Sequence, residues 1–178
     1  YEEGWRWQGM EVEFQGLQVP GLPCSLRGRI DRLDRHSQHG EVILWDYKSG
    51  EIPKVGKVFD DREEFQLPGY LLAAKNGRVS AAEDAIDLKA GFIGLKSPKE
   101  KHLKYESFEK RAGDWDEVLR FWEERLADLG RRLEAGDFSP SPRPAPDGKD
   151  KGACEYCPFS LVCGFTAEPG ADDEEEKA

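Results

Sequence analysis

Residues 42–45, Val-Ile-Leu-Trp, are apolar at four consecutive positions and run straight into Asp46-Tyr47-Lys48. Side chains of a strand alternate between faces, so an unbroken apolar run marks a central strand covered on both sides. Asp46 and Lys48 are two residues apart and therefore project from one face, at the point where the strand leaves the core. The preceding segment, GRIDRLD at residues 28–34, carries Asp31 near the end of a strand, and the polar turn HSQHG at residues 36–40 lays that strand alongside. Residues 28–48 thus bring two carboxylates and a lysine to one sheet edge.

The rest of the chain supplies layers for such a sheet. Residues 10–16, MEVEFQG, alternate apolar and acidic and predict a half-buried strand, followed by a loop, LQVPGLPC. Residues 25–35 and 41–48 are the second and third strands. The charged stretch to Asp61 predicts a surface loop. Residues 63–76, EEFQLPGYLLAAKN, predict a helix whose start must lie near Phe65 to tolerate Pro68, with Gly77 as its C-terminal cap. Leu67, Leu71 and Ala74 share one stripe of it, and Gln66 and Tyr70 lie one turn apart on another. Residues 88–95 and 103–108 predict strands, the first apolar enough to lie beside the central strand. Residues 115–135 predict a long helix, with Asp114 and Glu117 in a capping box and Gly136 at the C-terminal cap. Trp115, Val118, Leu119, Trp122, Leu126, Leu129 and Leu133 form its apolar stripe, which core packing accounts for.

Carboxylates from adjacent strands suit Mg²⁺ or Mn²⁺, which take hard oxygen ligands, and the Tyr47 backbone carbonyl is a further candidate. Such a metal activates water for attack on a phosphodiester, with Lys48 as a point charge to orient that water or offset developing charge. Pattern alone leaves a second explanation open: Asp31, Asp34 and Asp46 paired with Arg29, Arg32 and Lys48 across a hairpin.

GRIDRLD, LWDYKSG and QLPGY, in that order and spacing, resemble successive motifs of the RecB-like branch of the PD-(D/E)XK nucleases. The resemblance spans residues 11–163. It implies an α/β, restriction-endonuclease-like core, a mixed β-sheet flanked by helices, and Mg²⁺- or Mn²⁺-dependent cleavage of DNA. It further implies that Asp31 and Asp46 hold the metal, that Lys48 assists catalysis, and that Gln66 and Tyr70 flank the site and meet the DNA backbone. Many members of that branch bring a histidine ligand from a helix ahead of the first strand. The histidines here, His36, His39 and His102, all come later, and the first two belong to a solvated turn.

Three of the four cysteines crowd into C-x2-C-x5-C, Cys154, Cys157 and Cys163, with no sign of secretion, which favours a reduced, cytoplasmic compartment and a metal or cluster role. EAGDFSPSP followed by these cysteines resembles the tail of AddB-type nucleases that carry a [4Fe–4S] cluster. Four thiolates are the usual requirement. The fourth is Cys24 or a cysteine upstream of Tyr1; zinc completed by a histidine is the competing occupant. The opening, YEEGWRWQGMEVEF, lacks an initiator Met and enters a patterned segment directly, as expected of an excised domain.

The net charge of −10 argues against sequence-independent coating of DNA, yet residues 168–178 alone hold six acids against one lysine, and carboxylates of a metal site add more. The division expected is a nuclease core at residues 1–138, a cysteine-bearing segment at 139–166 and a disordered acidic tail at 167–178. The leading functional expectation is an exonuclease-like deoxyribonuclease module of a DNA-repair helicase–nuclease. The alternative is an inactive, nuclease-like DNA-binding or scaffold module built on the cysteine site.

Overall fold

The computed structural model describes residues 4–50, 52–62, 64–95, 111–139, 157–159 and 163. The chain divides into two compact units, Tyr1–Ala135 and Gly136–Ala178. In the first, strands β1 (Trp5–Leu17), β2 (Leu26–His36), β3 (Val42–Lys48) and β4 (Leu88–Gly94) form one sheet in that order. β1 and β2, and β2 and β3, pair antiparallel; β3 and β4 pair parallel. Helices α1 (Val55–Phe59) and α2 (Gln66–Lys75) form the crossover between β3 and β4, and α3 (Trp115–Glu134) follows. A parallel pair needs such a crossover, because a tight turn returns the chain only antiparallel.

β3 is buried at every position from Val42 to Asp46, so the apolar run is covered on both faces as expected. α2 packs against β3 and β4 on one side and α3 on the other. Its residues from Leu67 to Ala74 are all buried, beyond the two stripes predicted, as befits a helix between layers. Each fully buried leucine there, such as Leu67 or Leu71, contributes about 1.5–3 kcal/mol. α2 starts at Gln66, which puts Pro68 within the first turn, where its missing N–H costs nothing. Gly77 and Gly136 follow their helices at φ of 65° and 67°, the left-handed conformation of a C-terminal cap.

Four expectations fail for identifiable reasons. The stretch to Asp61 contains α1, a short helix that holds because Val58 and Phe59 enter the core, Phe59 against Trp115 at 4.7 Å between ring centres. The capping box at α3 does not form: Asp114 instead accepts from Arg111 at 2.6 Å, and Glu117 is drawn to Arg62. The apolar stripe of α3 is covered only as far as Leu126, with Leu129 and Leu133 exposed. Gly130 marks where the 18–24 loop crosses the helix; a Cβ there would stand 2.0 Å from the Gly21 carbonyl oxygen. His36, expected in a solvated turn, is buried. Its Nδ1 accepts the amide of His39 at 3.2 Å, and its ring lies edge-on to Trp5. The ring organises the turn from within, while His39 stacks on it from the exposed side.

The strand predicted at residues 103–108, His102, Cys154 and the acidic tail lie outside the described residues. In the second unit the Cys163 amide donates to the Phe159 carbonyl at 2.8 Å, and Cys157 and Cys163 are partly covered free thiols. Cys24, in the first unit, is an exposed free thiol. No helix among the described residues is long and apolar enough to cross a membrane.

Candidate active site

The site lies where the β2–β3 ladder ends. Paired residues run from Arg35 with Val42 to Arg32 with Trp45, and one step further in that register sets Asp31 across from Asp46. There the strands are joined through a side chain: the Asp31 carboxylate accepts the Tyr47 amide at 2.7 Å. The β3 positions bonded to β4 are the even ones, with the Val42 amide on Asp87 and the Lys48 carbonyl accepting from Leu95. In an extended strand the N–H and C=O of one residue point the same way, so the Tyr47 carbonyl, like its amide, faces the β2 side where Asp31 stands.

Asp46 is 2% exposed and is held from three directions. Its Oδ1 accepts from Gln66 Nε2 at 2.6 Å and from the Tyr70 hydroxyl at 3.1 Å. Gln66 and Tyr70 are four apart on α2, so the first turns of one helix present both donors to the end of β3. Lys48 Nζ stands 2.9 Å from Asp46 Oδ2, donates to Gln66 Oε1 and lies 4.9 Å from the centre of the Phe92 ring. Gln66 therefore bridges the acid and the base, its amide donating to one and its carbonyl accepting from the other. Tyr70 is held in its protonated form well above the usual tyrosine range. Burial is the main cause, followed by the charge of Asp46, the hydrogen bond to it and the charge of Asp31, with Gln66 acting weakly in the opposite sense.

The explanation by salt bridges across the hairpin fails: Asp34 pairs with Arg32 inside β2 and Asp46 with Lys48 inside β3. Asp34 accepts from Arg32 at 2.9 Å and from the Trp45 indole at 3.0 Å, which makes it structural. Arg29 turns to Glu11 at 3.5 Å. Asp31 makes no ion pair among the described residues. The sequence-predicted set thus separates: Asp46, Lys48, Gln66 and Tyr70 form one bonded group, Asp31 joins it through Tyr47, and Asp34 stands apart. Glu64 was not singled out by sequence. It accepts the Gln66 amide at 2.8 Å and brings its other oxygen to 4.0 Å from Lys48 Nζ. Its position two residues ahead of Gln66, where a helix start needs an acceptor, was the available signal.

The donor set suits a hard divalent cation. Asp46 Oδ2 is buried yet makes no hydrogen bond, since the nearby ammonium is not aligned to donate to it. This buried oxygen, ion-paired with Lys48 but without a hydrogen bond, together with the Asp31 carboxylate across the ladder and a carbonyl facing the same edge, offers oxygen ligands of the kind Mg²⁺ and Mn²⁺ take. Among the described residues no three histidine, cysteine, aspartate or glutamate side chains converge, so water would complete the coordination.

A mixed sheet flanked by helices, with two acids and a lysine at the end of its central strands, defines the restriction-endonuclease-like α/β fold. The chain belongs to the PD-(D/E)XK nuclease superfamily, which it matches over residues 1–164. No curated protein matches it significantly.

Proposed function

We propose that this domain is a divalent-metal-dependent deoxyribonuclease of the RecB-like branch. The observation that carries the reading is the buried, hydrogen-bond-free Oδ2 of Asp46, set beside Lys48 and facing Asp31 across the open end of the β2–β3 ladder. Asp31, Asp46 and the Tyr47 carbonyl hold the cation. When bound, Mg²⁺ or Mn²⁺ lowers the pKa of water and offsets charge on the phosphoryl oxygens. Lys48 supplies a positive charge where the phosphate is attacked. Gln66 links the Asp46 carboxylate to the Lys48 ammonium, and the Tyr70 hydroxyl donates to the other side of Asp46. DNA is the substrate, exonucleolytic degradation the mode and a helicase–nuclease repair system the setting. The residue division 1–138, 139–166 and 167–178 is part of this proposal. So is a [4Fe–4S] cluster on Cys154, Cys157 and Cys163; the C-x2-C-x5-C spacing supports it.

The test is degradation of end-labelled DNA with Mn²⁺ and with chelator. Asp46→Ala and Lys48→Ala are expected to lose activity by several orders of magnitude while folding normally by circular dichroism. Unchanged activity in both variants overturns the proposal. An inactive wild type that binds no Mn²⁺ supports instead the scaffold reading.

A further inference from the structure

Asp46 and Glu64 are the two anionic groups within 4.0 Å of the Lys48 ammonium among the described residues, at 2.9 and 4.0 Å. Glu64 is fixed from behind, because its Oε1 accepts the Gln66 amide at the first residue of α2. Only Oε2 is left to face the lysine, and the side chain is less than one-fifth exposed. The ammonium sits against the same Asp46 oxygen that has no hydrogen bond and is best placed to take a cation. Two positive charges cannot share that oxygen at contact distance in so buried a site without strong repulsion. The ammonium must therefore withdraw when a cation arrives, and the flexible four-carbon stem of lysine permits a shift of about 1 Å.

We propose that Glu64 is a positioning residue that receives the Lys48 ammonium as a divalent cation takes Asp46 Oδ2. The inference rests on the nuclease reading above. Glu64 offers the displaced charge a second carboxylate within that shift, so metal binding does not leave the ammonium unpaired. It also keeps Lys48 beside the site instead of releasing it to solvent. Gln66 Oε1 accepts from the same ammonium and lies on the helix turn that Glu64 caps.

Glu64→Gln isolates the charge from the helix-start bond, because the glutamine carbonyl still accepts the Gln66 amide. Mn²⁺ affinity measured calorimetrically on the whole chain, for wild type, E64Q, K48A and K48A/E64Q, tests the idea without recourse to activity. E64Q is expected to weaken Mn²⁺ binding about tenfold. In the K48A background, with no ammonium to displace, the same substitution is expected to have no effect. An unaltered affinity in E64Q overturns the proposal. Equal loss in both backgrounds overturns it too, since Glu64 would then act on the metal or the fold directly. A wild type with no Asp31-dependent Mn²⁺ binding refutes the nuclease reading and this inference together; normal binding that ignores Glu64 refutes the inference alone.

Discussion

Replacing Tyr70 by Phe removes one oxygen from a side chain that is 6% exposed and leaves the ring, so no cavity opens. What is lost is the hydroxyl donated to Asp46 Oδ1. A hydrogen bond to a charged group contributes about 1.5–3 kcal/mol. The 3.1 Å separation is long for a charge-assisted O–H···O⁻ bond, and Gln66 continues to satisfy Oδ1 at 2.6 Å. Both facts select the lower end, so Tyr70→Phe should cost about 1.5 kcal/mol, or roughly 4–8 °C in Tm for a unit of this size. Urea unfolding in the presence of chelator, followed by tryptophan fluorescence, gives the free energy. Asp46→Asn supplies the control, because it keeps an acceptor at Oδ1 but removes its charge. In that background the bond is an ordinary neutral one and Tyr70→Phe should cost about 0.5–1 kcal/mol. Equal costs in the two backgrounds, or no cost in either, would refute the argument that the phenol is organised around the Asp46 carboxylate.

The same tyrosine sets an alkaline response. Its pKa is raised in the folded state, so above about pH 10 the unfolded chain loses the phenolic proton first. The folded state then binds more protons and stability falls with rising pH, an effect absent below pH 10. Tyrosinate absorbance of the chelated protein at pH 11 should show one tyrosine fewer ionised than in urea; the difference should vanish in Tyr70→Phe, and its persistence there would contradict the assignment. Asp34→Ala, which strips the Trp45 indole and Arg32 of their shared acceptor, should cost on the order of 2 kcal/mol in denaturant. It should leave Mn²⁺ affinity within a factor of two; a large loss of affinity would mean that Asp34 belongs to the site. Gly130→Ala should lower Tm even though alanine is favoured over glycine in a helix by about 1 kcal/mol. The added methyl meets a backbone carbonyl, and a stabilised variant would show that the 18–24 loop yields easily.

The four strands of the described sheet and the two larger helices were legible because each carries a period that burial enforces. Val42 to Asp46 announce a covered strand, and Trp115 to Leu126 announce one face of a helix. What escaped the sequence depends on partners distant in the chain. α1 is too short to declare itself and exists because Phe59 finds Trp115. Asp114 and Glu117 have the spacing of a capping box, but Arg111 and Arg62 compete for their carboxylates more effectively than backbone amides do. His36 lies among polar turn residues, and only the fold shows that the first strand brings Trp5 over its ring. At the site, motif spacing marked Asp31, Asp46, Lys48, Gln66 and Tyr70. It could not tell that Asp31 reaches the Tyr47 amide instead of an arginine, nor that Glu64 shares Lys48, because both depend on how β2 and α2 meet the end of β3.

The parallel pairing of β3 with β4 has a consequence for the chain during its synthesis. β2 can cover one edge of β3 as soon as their hairpin emerges, but β4 ends 46 residues after β3 does. At about 5–20 residues per second the other edge stays open for roughly 2–9 s. For that time Val-Ile-Leu-Trp is a short, uncharged, β-prone ribbon with a free edge, the kind of segment that recruits copies of itself. The residues that bracket it are Glu41 on one side and Asp46 and Lys48 on the other. Charges flanking a sticky strand act as gatekeepers against such association. Asp46 and Lys48 therefore also shield the nascent chain from its neighbours, a task that precedes any other they have.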